Sequence, residues 1–113
     1  MRVYKEVVFS RAVFFDLGEI RDFIVFNNTH EAANKYIDQL EAEINALVYL
    51  ADCFPISRWL SVRRYHPEAR SLITRNKKWN VVFHTDGDLV IVDKIIPSKM
   101  VIHRLSKIAI ITH

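Results

Sequence analysis

A chain of 113 residues is one domain's length, enough for a modest core. Half of it is hydrophobic, with only two Gly and three Pro, which excludes a disordered or fibrous chain. Its apolar runs, such as residues 89–92 and 108–111, fall far short of the roughly 20 residues of a bilayer span, so no membrane is expected among its partners.

The net charge of +3 is unevenly placed. Residues 1–54 carry five Lys/Arg against nine Asp/Glu, and residues 55–113 carry eleven against four. A basic half of this kind suits a polyanion such as RNA, or an acidic protein partner. Arg2 and Lys5 precede a short strand-like run, with no long apolar segment and no small-residue cleavage site. A cytoplasmic protein without a signal peptide is therefore expected. The single cysteine, Cys53, has no internal partner and is expected to act as a small buried hydrophobe.

In chain order, Val3-Tyr4-Lys5-Glu6-Val7-Val8-Phe9 is rich in β-branched and aromatic residues and predicts a strand. Ser10 can then cap a helix. Phe14, Leu17, Ile20, Phe23 and Ile24 recur at three- and four-residue steps, one stripe of that helix. Asn27-Asn28-Thr29 breaks it, and Thr29 can cap a second helix whose apolar face is Ala33, Tyr36, Ile37, Leu40, Ile44, Leu47 and Leu50. Two helices so closely joined predict an antiparallel hairpin from about residue 10 to 51, ending before Pro55.

Beyond Pro55 the period changes. Residues 58–65 are mixed, Pro67 breaks them, and residues 69–74 predict a strand. Residues 79–85 and 88–96 predict strands flanking Asp86-Gly87, a strong hairpin signal. With those two residues as the loop, Thr85 faces Asp88. Trp79, Val81 and Phe83 then share a face with Val90, Val92 and Lys94, and that face covers the helices. Asn80, Val82 and His84 share the other with Leu89, Ile91 and Asp93. Trp59 and Trp79 are expected in the core. The order of elements predicts an α+β fold over residues 1–113 as a single domain: an N-terminal strand and a two-helix hairpin on one face of a mainly antiparallel sheet of about four strands. The apolar tail from about residue 101 either adds a strand or leaves an edge for a partner to pair with.

These residues resemble the RelE/ParE family of toxins. The opening Phe9-Ser10-Arg11-Ala12, with Leu17-Gly18-Glu19-Ile20-Arg21-Asp22-Phe23-Ile24 after it, is similar to the start of ParE-like members. So is Ala32-Ala33-Asn34-Lys35-Tyr36-Ile37, leading to a long amphipathic helix and Pro55. Tyr65-His66-Pro67-Glu68-Ala69-Arg70-Ser71-Leu72 looks like the family's link into the sheet, and residues 79–92 like its central hairpin. Each motif is degenerate, but order and spacing agree over most of residues 7–99.

The resemblance implies a small toxin of a type II toxin–antitoxin system, an addiction or plasmid-stabilisation module, neutralised in a hetero-oligomer by a cognate antitoxin. It also implies one of two targets. RelE-like members cut ribosome-bound mRNA as endoribonucleases; ParE-like members poison DNA gyrase without nuclease chemistry. A third possibility is a non-toxic member that only binds its antitoxin. RelE-type cleavage needs a base, an acid and cations for the developing phosphorane charge. Carried over by position, the family's strand lysines fall on Ser71 and Ile73, its next arginine on Asn80 and its late arginine near Lys99. No late tyrosine follows.

The residues left to supply such chemistry are His84 and His103 as proton carriers and Arg75, Lys77, Lys78, Lys99 and Arg104 as phosphate ligands. Each has a plainer reading as a surface, tail or turn residue. No acids or histidines have metal-ligand spacing and no Gly-rich phosphate loop is present, so neither metal nor cofactor is expected.

Overall fold

A computed structural model describes residues 4–101. Strand β1 is Glu6–Phe9. Helix α1 (Arg11–Asn27) follows at once because Ser10, in extended conformation, accepts the Val13 amide on its hydroxyl at 3.3 Å. Thr29 does the same for α2 (His30–Asn45), accepting from Ala32 at 3.0 Å. The turn between them is clasped by Arg21, whose Nε and Nη2 both donate to Asn34 Oδ1 at 3.2 and 3.0 Å. The second helix breaks at Ala46, continues as a single turn α3 (Leu47–Leu50), and ends in a 3₁₀ turn at Ala51–Cys53. A short helix α4 (Leu60–Arg63) precedes β2 (Arg70–Ile73), β3 (Trp79–Asp86) and β4 (Leu89–Pro97).

The expected α+β class holds. The four strands lie in the order β1-β4-β3-β2, antiparallel except that β1 runs parallel to β4, with Glu6 opposite Leu89 and Phe9 opposite Val92. The helical hairpin covers one face. Val13, Leu17 and Ile20 of α1 and Ile37, Leu40 and Ile44 of α2 meet Val81, Phe83, Val90, Val92 and Ile95 of the sheet. Each such side chain removed from water stabilises the fold by roughly 1.5–3 kcal/mol. A smaller cluster of Val62, Ala69, Val82, Ile96 and Val101 forms on the opposite face, with Trp59 and Tyr65 against it.

Several local expectations are corrected. The β3–β4 loop is Gly87-Asp88, not Asp86-Gly87: Asp86 stands opposite Leu89 and Gly87 takes φ +57° as the first loop residue. A Gly leading the loop is the arrangement of type II′ turns, whereas the Asp-Gly signal assumes a Gly in second place. The slip changes each pairing by two, so both faces keep their residues up to Val92. Beyond it a bulge intervenes: Phe83 pairs with Val92 and Val82 with Lys94, leaving Asp93 as the extra residue. Ile95 therefore enters the main core in the place expected for Lys94.

Cys53 is exposed, because the 3₁₀ turn points Ala51 inward in its stead. Trp59 and Trp79 pack against the two clusters but are only partly buried. The tail beyond Val101 lies outside the described residues.

Candidate functional site

The sheet face turned away from the helices carries the chemistry. His84 on β3 stands opposite Ile91, and the bulge brings Asp93 beside it, with Asp93 Oδ2 at 2.6 Å from His84 Nδ1. Both side chains keep a little exposure, 12% for His84 and 16% for Asp93. The bulge is itself anchored: the Ser10 hydroxyl donates to the Asp93 carbonyl at 3.1 Å, and the Ser10 amide to the Val92 carbonyl at 3.0 Å. The residue that caps α1 thus also fixes the backbone that aims Asp93.

His66 completes the group. Its ring stacks on His84 with centroids 3.7 Å apart and planes 4° from parallel. It sits in the turn after α4, just before Pro67, and the Glu68 amide donates to His66 Nδ1 at 3.0 Å. In neutral rings these partners assign the tautomers as follows. His84 carries its proton on Nδ1, toward the carboxylate, and presents Nε2 as an acceptor. His66 accepts on Nδ1 and carries its proton on Nε2. Two stacked imidazoles thus present opposite hydrogen-bonding characters at Nε2.

The expected phosphate ligands gather elsewhere. Arg75, Lys77 and Lys78 occupy the β2–β3 loop, and Lys99 joins them because Ser98 donates its amide to the Lys78 carbonyl at 2.8 Å. Lys77 has φ +61°, and the loop is braced on α2: Glu43 Oε2 accepts the Arg75 amide at 3.1 Å, and the Tyr36 hydroxyl accepts from Asn76 Nδ2 and Trp79 Nε1, both at 2.9 Å. A cleft of about 470 Å³ runs between this loop and α2.

From Lys78 to His84 is six residues of strand, roughly 20 Å at 3.3 Å each. The basic cluster and the histidine pair therefore stand at opposite ends of the sheet. Nearer His66 are Arg63, whose Nε donates to the Pro67 carbonyl at 3.2 Å, and Arg64, 5.5 Å above the Tyr65 ring. His103 and Arg104 lie outside the described residues.

The positions at which the resemblance places cations are neighbours on the histidine-bearing face. Ser71 is opposite Val82 and Ile73 opposite Asn80, whose buried Oδ1 has no hydrogen-bond partner. Among the described residues no group of three or more His, Cys, Asp or Glu is placed to hold a metal ion.

No protein-family model matches the sequence, and no curated protein matches it either. Among solved structures the chain is similar to one described as the chromosomal ParDE TA system from P. aeruginosa. The TM-score is 0.68 at 18% identity, over 81% of this chain and 94% of that one. The fold is RelE/ParE-like. Within this RelE/ParE-like frame, the sequence singles out His84 but neither of its partners. Asp93 was legible as a residue of the same face; His66 was not, since nothing in the spacing of the link before β2 places it over β3.

Proposed function

We propose that this protein is the toxin of a bacterial type II toxin–antitoxin pair, acting in the cytoplasm and held inactive by a cognate antitoxin, and that it arrests growth by cleaving ribosome-bound mRNA. The observation that carries the nuclease reading is the stacked pair of imidazoles, one against a carboxylate and the other accepting a backbone amide. His84 Nε2 takes the proton of an RNA 2′-hydroxyl as that oxygen attacks phosphorus. Asp93 stabilises the imidazolium, as a carboxylate does for the histidine of hydrolytic triads. The proton then passes to the 5′-oxygen as the P–O5′ bond breaks, leaving a 2′,3′-cyclic phosphate and a 5′-hydroxyl. His66 supplies its Nε2–H to the developing charge on phosphorus, a service that Ser71, Ile73 and Asn80 cannot give as cations. Arg75, Lys77, Lys78 and Lys99, joined by Arg104 if the tail reaches them, bind the RNA backbone farther along the sheet. His103, on the same tail, is a second candidate proton carrier.

Inhibition of DNA gyrase is the competing reading. It is favoured by the absence of cations at those three positions and by the four exposed phenylalanines of α1. One experiment separates them: induced expression with RNA ends mapped and DNA supercoiling measured in the same cells. New 5′-hydroxyl ends that vanish in His84→Ala, with antitoxin binding retained, support cleavage. Relaxed or broken DNA without new RNA ends would sink it in favour of gyrase.

A further inference from the structure

Helix α1 buries Val13, Asp16, Leu17 and Ile20. At 100° per residue, Arg11, Phe15, Gly18 and Asp22 lie roughly 150–170° from the centre of that face. They form a seam of 4-3-4 spacing, the step of helices that pair lengthwise. All four are exposed, Phe15 at 66%, and Phe26 beside the seam is exposed at 88%. Gly18 is out of place here: glycine is among the poorest helix formers, its φ is not positive, and a Cβ added to it would meet nothing within 4 Å. Neither its own backbone nor its own chain's packing requires it.

We propose that α1 pairs antiparallel with α1 of a second copy of this chain. The seam is self-complementary in one register. Turned end for end about a point between residues 16 and 17, Arg11 stands opposite Asp22 of the other copy, Phe15 opposite Gly18, and each match occurs twice. Charge and size are matched together, and the glycine has its purpose as the seat of the other copy's Phe15. Among the described residues neither Arg11 nor Asp22 has an ion pair of its own. The overlap is about 12 residues, roughly 18 Å of helix. Such a small contact makes a concentration-dependent dimer rather than a permanent one.

The test is sedimentation equilibrium of the full-length chain over micromolar to near-millimolar loading. The wild type should pass from monomer to dimer. Arg11→Asp and Asp22→Arg, each placing like charges opposite, should weaken association by about tenfold or more, and the double reversal should restore it. Gly18→Leu should weaken it too, without loss of helicity by circular dichroism. A monomer at every loading overturns the proposal, as does a dimer indifferent to the single reversals. So would α1 amides protected from hydrogen exchange only when another protein is bound, which would give the face to that partner.

Discussion

Lys94 Nζ on β4 lies 2.8 Å from Asp16 Oδ1 on α1, while Asp16 Oδ2 accepts the amide of Ile95 at 3.1 Å. One carboxylate, buried in the middle of the helix, thereby ties α1 to the strand just past its bulge. Asp16→Ala leaves the Ile95 amide and a half-buried ammonium without their acceptor and should cost about 2–4 kcal/mol in urea unfolding. Asp16→Asn keeps an acceptor and should cost less. Equal losses for the two would show that the carboxylate's charge, not its hydrogen bonding, dominates.

The same pair sets a pH dependence. The Lys94 pKa is raised above 10.5, first by its hydrogen bond to Asp16 and also by the attraction of that carboxylate, with burial opposing. A lysine whose pKa is higher folded than unfolded adds stability that is complete below the unfolded pKa and is lost as pH rises through the folded one. Stability should hold level on this account up to about pH 10 and fall above 10.5 more steeply than in Lys94→Met. Parallel wild-type and variant curves through that range would contradict the assignment.

Leu40 and Leu47, seven residues apart, are both buried in the cluster that holds Val81 and Val92, as the apolar period of the second helix had implied. Leu40→Ala should cost on the order of 2–5 kcal/mol. A loss under roughly 0.5 kcal/mol in thermal or urea unfolding would mean that the interior closes over the gap, which the buried strands on both sides argue against.

For the proposed nuclease, His84→Ala should lower cleavage by on the order of 10²–10⁴-fold, the usual range for a general acid–base group. His66→Gln, which keeps an N–H donor, should retain more activity than His66→Ala. If His66→Gln and His66→Ala are equally impaired, the ring matters for its stacking and not for its hydrogen.

Much of this was legible in the sequence. Ser10 and Thr29 announced the two helix starts, and the change from helical to alternating period at Pro55 separated hairpin from sheet. Face assignments in β3 and in β4 as far as Val92 survived a wrong loop because strand faces repeat every two residues, and Lys94 past the bulge was misplaced. The bulge at Asp93 was not legible, since an extra residue leaves no mark in the alternation until the partner strand is known. His66 was hidden for a related reason: its place over His84 depends on how residues 59–66 fold back across the sheet, a long-range packing outcome. The parallel docking of β1 against β4 was likewise unreadable, because strands 83 positions apart share no local signal.

That docking fixes when the fold can close. Glu6 finds its partner only at Leu89, so the first strand made must wait for the last, and Ser10 cannot set its bond to Asp93 until then. Closing so long a loop is a late and slow event in folding. On a ribosome, the helical hairpin emerges with its apolar face open to water and stays so until nearly the whole sheet has been synthesised. A chain cut short before β4 keeps its helix caps and loses the strand that both β1 and β3 pair with. Any such fragment is left with sticky helices and no assembled histidine site.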